Sequence, residues 1–236
     1  MNQLAVEDRY LHRMAVKTSK AMQARVSKDP SFAAPAVRGL MGTGGAVLFD
    51  QVTKTKTVEK IVADASSDAL NEIMPLFEQL ISRPGARDDK TAAADRQFVA
   101  GLLLSIVRAK ASTGNSDSEE DFESVLEQIL FIFVRFAYFT DKNVSEPAVS
   151  EATQEMLRSR VSSSLNSLLA SQKYAATIPY AVVKQIRDGA KSGEFGKFII
   201  NIDDKLQESV KTAFKSLKKL SSKVSFISLC LVSRTD

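Results

Sequence analysis

Phe122, Val125, Leu126, Ile129, Leu130, Phe133, Val134 and Ala137 recur at steps of three and four residues. That spacing lines one wide face of an α-helix. Ser116 followed by Glu119 predicts a capping box ahead of it, in which hydroxyl and carboxylate satisfy the first free backbone N–H groups. Phe131, Ile132, Phe136 and Phe139 put apolar groups on the other faces, so this helix is expected to be buried from several sides.

The same period predicts helices elsewhere. Residues 4–27 place Leu4, Leu11, Met14, Ala15, Thr18 and Met22 on one side and stop before Asp29-Pro30. A short helix over 32–41 ends at Gly42, Gly44 and Gly45, and another spans 56–64. Residues 67–82 run from Ser66 and Ser67 to Arg83-Pro84-Gly85, and 89–110 bury Phe98, Leu102 and Ile106. Residues 147–171, with Pro147 in the first turn, align Met156 or Leu157 with Val161, Leu165, Leu168 and Leu169. Residues 178–190 follow Thr177-Ile178-Pro179. Residues 202–222 follow Asn201, with Asp203 and Asp204 suited to a positive helix start.

Before the extreme C-terminus no segment alternates apolar and polar residues over a strand length. An all-α chain is therefore expected. Eight or so helices in uneven succession suggest an irregular HEAT- or armadillo-like α-solenoid, although no exact repeat is visible. A compact helical bundle is the alternative. The last thirteen residues break the pattern. Val224-Ser-Phe-Ile-Ser-Leu-Cys-Leu-Val-Ser is β-branched without helical period, and Val-Ser is what an in-frame GTAAGT splice donor encodes. The expected organisation is a helical-repeat segment, 1–223, and an atypical tail, 224–236, with translated intron and an artificial addition as the two readings.

Charge sharpens this picture because it is uneven. Residues 1–60 carry a net +5, residues 61–200 a net −4 and residues 201–223 a net +3. A basic start and end flank an acidic middle, which favours acidic partners. The single cysteine, Cys230, excludes an internal disulfide and points to a reducing compartment. Residues 1–25 lack the apolar core of a secretory signal. The greasiest run, Ile129 to Val134, falls far short of the ~20 apolar residues of a membrane span. A soluble intracellular protein without membrane association is expected.

Candidate chemistry is sparse. One histidine, His12, and one cysteine cannot build a four-ligand zinc site or a nucleophile–base–orienter triad. His12 reads as a surface or helix-packing residue. The acid pairs Asp88-Asp89, Glu119-Glu120-Asp121 and Asp203-Asp204 each fall in the first turn of an expected helix, where they offset the dipole. Gly39-Leu-Met-Gly-Thr-Gly-Gly45 lacks the Gly-Lys-Ser/Thr of a phosphate loop and has no preceding strand, so it reads as an inter-helix turn. The informative stretch is Phe49 to Lys60. Thr53 or Thr55 is expected to cap a helix beginning near Lys56, bringing backbone N–H groups, hydroxyls, Lys54 and Lys56 together as a candidate phosphate contact. A capped turn with solvated lysines is the competing reading. Lys211, Lys215, Lys218 and Lys219, spaced by three and four, form a second candidate polyanion contact.

Phe49-Asp50 followed by Thr53-Lys54-Thr55-Lys56-Thr57-Val58-Glu59 resembles a signature of the DNA polymerase V (polymerase phi) / Myb-binding protein family. Tyr10-Leu11-His12-Arg13 upstream supports the likeness, as do Asp88-Asp89-Lys90, Asp95-Arg96-Gln97, Leu102-Leu103 and Val107-Arg108 downstream. The resemblance covers residues 7–222 and implies an internal piece of a longer protein. It also implies a helical scaffold of the nucleus and nucleolus, acting in ribosomal RNA gene transcription and ribosome biogenesis. The implied partners are nucleic acid (rDNA or rRNA) and nucleolar proteins, with no cofactor, metal or small-molecule substrate. The family label names a polymerase, but no palm-domain acids are visible here, so no enzyme activity is expected. Two other readings stay open: a solenoid adaptor that binds only protein, and a DNA-directed DNA polymerase.

Overall fold

The computed structural model describes residues 9–42, 44–82, 90–113, 121–140, 149–193, 196–199 and 208–213, with positions 215, 216, 218 and 219. Among these the chain is all-α. The only β feature among the described residues is a single antiparallel bridge between Phe139 and Phe198. In order come α1 (Arg9–Lys28), a 3₁₀ turn (Pro30–Phe32), α2 (Ala33–Met41), α3 (Phe49–Thr53), α4 (Thr57–Asp64) and α5 (Ser67–Ser82). Then follow α6 (Lys90–Thr113), α7 (Glu123–Tyr138), α8 (Glu151–Leu169) and α9 (Thr177–Ser192). The described positions from 208 to 219 are helical as well.

Local sequence sets the boundaries. Pro30 has no N–H for the next helical bond, so α1 ends ahead of it. After α2 the chain reverses tightly: Ala46 N–H donates to Leu40 O at 2.8 Å. A Cβ on Gly45 would lie 2.0 Å from that carbonyl oxygen, so only glycine fits there. At α8 the Ser150 hydroxyl accepts from Thr153 N–H, a standard N-cap.

The main contacts of each helix are with helices one to three places along the chain. Helix α1 meets α4; α2 meets α4 and α5; α4 meets α6; α5 meets α6 and α7; α6 meets α7 and α8; and α7 meets α8 and α9. Burial by chain neighbours is the mark of a solenoid-like array. Helix α7 is enclosed by four neighbours, and Val125, Leu126, Ile129, Leu130, Ile132, Phe133, Phe136 and Ala137 are all buried. The expectation of burial from several sides holds.

Two details differ from the sequence reading. Helix α7 starts at Glu123, well beyond Ser116, and its first N–H meets Asp121: Glu123 N–H donates to Asp121 Oδ1 at 3.1 Å. Ser116 and Glu119 lie outside the described residues, as do residues 4–8, Asp88, Asp89, Pro147, Asp203, Asp204 and the tail 224–236. The five-residue helix α3 leaves no mark in the pattern, because five residues are too few to show a period.

Asp121 is also the anchor for the α8–α9 turn. Lys173 Nζ lies 3.0 Å from Asp121 Oδ1, and the buried Tyr174 hydroxyl donates to the same oxygen at 3.4 Å while accepting from Phe122 N–H at 3.4 Å. Burial pushes the Asp121 carboxyl up, but the hydrogen bonds from Lys173 and Glu123 outweigh it and hold it below the ordinary range. Tyr174→Phe strands the Phe122 N–H and is expected to cost about 1 kcal/mol in chemical denaturation.

Candidate nucleic-acid interface

The Phe49–Glu59 motif folds as the α3–α4 turn, with its inward and outward residues cleanly divided. Phe49, Asp50, Thr53, Thr57 and Val58 are buried, whereas Lys54 and Lys56 are exposed. The start of α4 is capped, but by Asp50 rather than by a threonine. Asp50 Oδ1 accepts from Val58 N–H and Oδ2 from Glu59 N–H, both at 3.0 Å, and Thr55 N–H donates to Asp50 O at 2.9 Å. The reason is reach: α3 carries residue 50 back over the end of α4, so a carboxylate eight residues upstream meets the free N–H groups. No local capping pattern announces that contact.

The threonines form a relay beside it. Gln23 Nε2 on α1 donates to Thr57 Oγ1 at 3.2 Å, and Thr57 and Thr55 hydroxyls lie 3.0 Å apart. Thr55 and Thr53 hydroxyls lie 2.8 Å apart, and Thr53 Oγ1 donates to Phe49 O at 2.7 Å. The hydroxyls of Thr53 and Thr55 are thus engaged internally, and the N–H groups of Val58 and Glu59 are held by Asp50.

What faces outward is positive charge. Lys54 is in the left-handed conformation, φ 53° and ψ 39°. Lys56 stands 3.6 Å from Glu59. Helix α1, tied to this turn by Gln23, spans Arg9–Lys28 with six Lys/Arg and no Asp or Glu. Arg13, Lys17 and Lys20, at steps of four and three, are all exposed. That acid-free helix was legible in the sequence as a charge count over 1–60, but its link to the α3–α4 turn through Gln23 and Thr57 was not. Lys211, Lys215, Lys218 and Lys219 are exposed on the C-terminal helical stretch, Lys211 lying 3.7 Å from Glu208. His12 is in α1. Among the described residues no group of three or more His, Cys, Asp or Glu is placed to hold a metal ion, and no helix is long and apolar enough to cross a membrane.

Packed consecutive helices bearing exposed lysines, with a self-capped inter-helix turn, define an all-α, solenoid-like array. The chain belongs to the DNA polymerase phi family, whose model it matches over residues 1–227. It is similar to the rDNA transcriptional regulator pol5 of Schizosaccharomyces pombe, at 29% identity over 238 aligned residues that cover 95% of this chain and 24% of the relative. It is also similar to the rDNA transcriptional regulator POL5 of Saccharomyces cerevisiae, at 25% identity over 190 residues, 77% of this chain and 17% of the relative. The chain thus spans about a quarter or less of the curated relatives it matches. No solved structure matches it.

Proposed function

We propose that this chain is a scaffold segment of a nuclear regulator of ribosomal RNA gene transcription, working in the nucleolus, with a role extending to ribosome biogenesis. The observation that carries the reading is the match along nearly the whole chain to a relative named for rDNA transcriptional regulation. The same naming favours a non-catalytic scaffold over a polymerase. Depleting the full-length protein and pulse-labelling precursor ribosomal RNA tests it: altered precursor synthesis together with occupancy of the protein on rDNA is expected, and unchanged synthesis with no occupancy would overturn it.

Within that role, nucleic-acid phosphates are the proposed partner of the α1 stripe, the Lys54–Lys56 turn and Lys211, Lys215, Lys218 and Lys219. Lys54 supports this. A left-handed residue at a helix end costs about 1 kcal/mol unless it is glycine, so a lysine kept there retains its side chain against a backbone penalty. Lys54→Gly should therefore raise stability by about 1 kcal/mol while weakening binding to duplex DNA or RNA. Lys54→Glu with Lys56→Glu should flatten the slope of log affinity against log salt by about one unit per lost contact, as should Lys215→Glu with Lys219→Glu.

One observation favours a second reading, an adaptor that binds only protein. Asp50 already occupies the N–H groups that a phosphate would use at the start of α4. If neither lysine pair changes nucleic-acid affinity or its salt slope, that reading replaces the first.

A further inference from the structure

The Phe198 ring remains 40% exposed although it belongs to an aromatic cluster. It stacks on Tyr138 with 6.1 Å between ring centres and 7° between planes, and it meets Phe139 edge-on at 5.2 Å. The segment that carries it is fixed to the end of α7. Ile199 N–H donates to Tyr138 O at 2.8 Å, and Thr140 N–H donates to Lys197 O at 2.9 Å. Lys197 N–H donates to Thr140 Oγ1 at 2.8 Å, and Gly196 N–H to Thr140 O at 3.0 Å.

That pattern sets the direction of the Phe198 backbone. Phe139 and Phe198 form the non-hydrogen-bonded pair of an antiparallel bridge, flanked by the bonds at Tyr138 and Thr140. In such a pair the N–H and C=O of each residue point away from the opposite strand. Phe198 therefore turns one donor and one acceptor outward, and among the described residues no hydrogen bond reaches either. An open strand edge is a template for another extended chain.

We propose that this edge binds an extended, acidic segment of a partner protein by antiparallel strand addition, with an apolar side chain of that segment packed beside the Phe198 ring. The backbone selects a polypeptide, because the edge needs a donor and an acceptor in return. A phosphodiester backbone carries acceptors but no N–H, and a helix uses its own groups internally. The pairing selects the apolar residue: a residue that exchanges both bonds with Phe198 places its side chain on the same face as that ring. Charge selects the flanks. Lys197 is exposed, and the Arg158 guanidinium lies 5.7 Å from the centre of the Tyr138 ring. Neither cation is in an ion pair among the described residues. A second copy of this chain would bring its own Lys197 to the same edge, like charge against like, whereas carboxylates complement it. The edge is already held in its binding shape, which reduces the ordering cost. It shares no residue with the lysine faces, so its outcome leaves the nucleic-acid reading untouched.

The test is titration of the full isotope-labelled chain with acetyl-Thr-Glu-Phe-Glu-Thr-amide, followed by NMR at the Lys197, Phe198 and Ile199 amides. The Phe198 N–H signal is expected to move downfield saturably, with a Kd on the order of 0.1–1 mM for so short a strand. The same peptide N-methylated at its phenylalanine keeps every side chain but lacks the N–H that Phe198 O would accept, so it should bind about tenfold more weakly. A peptide with lysines in place of the glutamates should also bind more weakly, and Lys197→Glu should reverse that preference. The hydrogen bonds of Lys197 to Thr140 are made by its backbone, so this variant leaves the segment in place. The proposal is overturned if the Phe198 signal stays fixed up to about 5 mM peptide, several times the expected Kd. It is equally overturned if the N-methylated or the lysine peptide binds as well as the first. Concentration-dependent shifts of the same amides without peptide, marking a dimer through this edge, would overturn it too, as would oligothymidylate moving these signals in place of the peptide.

Discussion

Asp50→Ala is expected to destabilise the chain by about 3 kcal/mol, because each of two backbone N–H groups loses a charged acceptor in a buried setting where such a bond contributes roughly 1.5–3 kcal/mol. Asp50 is 6% exposed, so little water is at hand to replace it. The two bonds run to Val58 and Glu59 at the start of α4, and a third contact comes from the Thr55 hydroxyl at 3.3 Å. The change therefore strands part of the turn as well as the helix start. Hydrogen exchange gives the specific readout: the Val58 and Glu59 amides should lose protection first. Asp50→Asn keeps the shape but turns one acceptor into a donor facing a donor, so it should recover only part of the loss. A drop below about 1 kcal/mol, the size of an ordinary exposed cap, with both amides still protected, would mean that another group holds the helix start.

This contact also shows where sequence reading reached and where it stopped. The helices of regular period were legible: 67–82 reads directly off its apolar spacing and punctuation, and the enclosure of α7 follows from apolar residues on several faces. Boundaries set by remote groups were not. Asp50 caps a helix that starts seven residues later, across an intervening short helix whose five residues carry no period of their own. In the Thr-Lys-Thr-Lys-Thr run the alternation of buried and exposed positions is set by hydrogen bonds to Asp50, Gln23 and Phe49, which no one-dimensional pattern encodes. Asp95-Arg96-Gln97 was read as part of a family likeness, and nothing in its spacing indicates that Arg96 is buried.

Arg96→Ala is expected to cost about 4 kcal/mol, combining an unsatisfied carbonyl with the cavity left by a large side chain. Arg96 is 2% exposed on α6, and its Nε donates to Ile81 O at 3.0 Å, in the last turn of α5 where carbonyls have no helical partner. Burial lowers its pKa below the ordinary arginine value, against the opposing pull of Asp95, yet an arginine stays charged at any ordinary pH. Lys110, about four turns along the same helix, repeats the device: its Nζ donates to Ala65 O at 2.9 Å, capping the C-terminus of α4, and lies 4.4 Å from the centre of the Phe122 ring. A cation beside a helix C-terminus offsets the negative end of the dipole. Helix α6 thus fastens the ends of two neighbours with two buried cations. Arg96→Met and Lys110→Met retain the stem and remove the charge, so each should cost about 2 kcal/mol, less than alanine because no large cavity opens. The two sites are separated by 14 residues of helix, about 21 Å, so their effects should add within about 0.5 kcal/mol. Denaturation of the two single variants and the double variant checks this. If Arg96→Met is neutral or stabilising, the buried cation contributes no net stability and the fastening comes from side-chain packing alone.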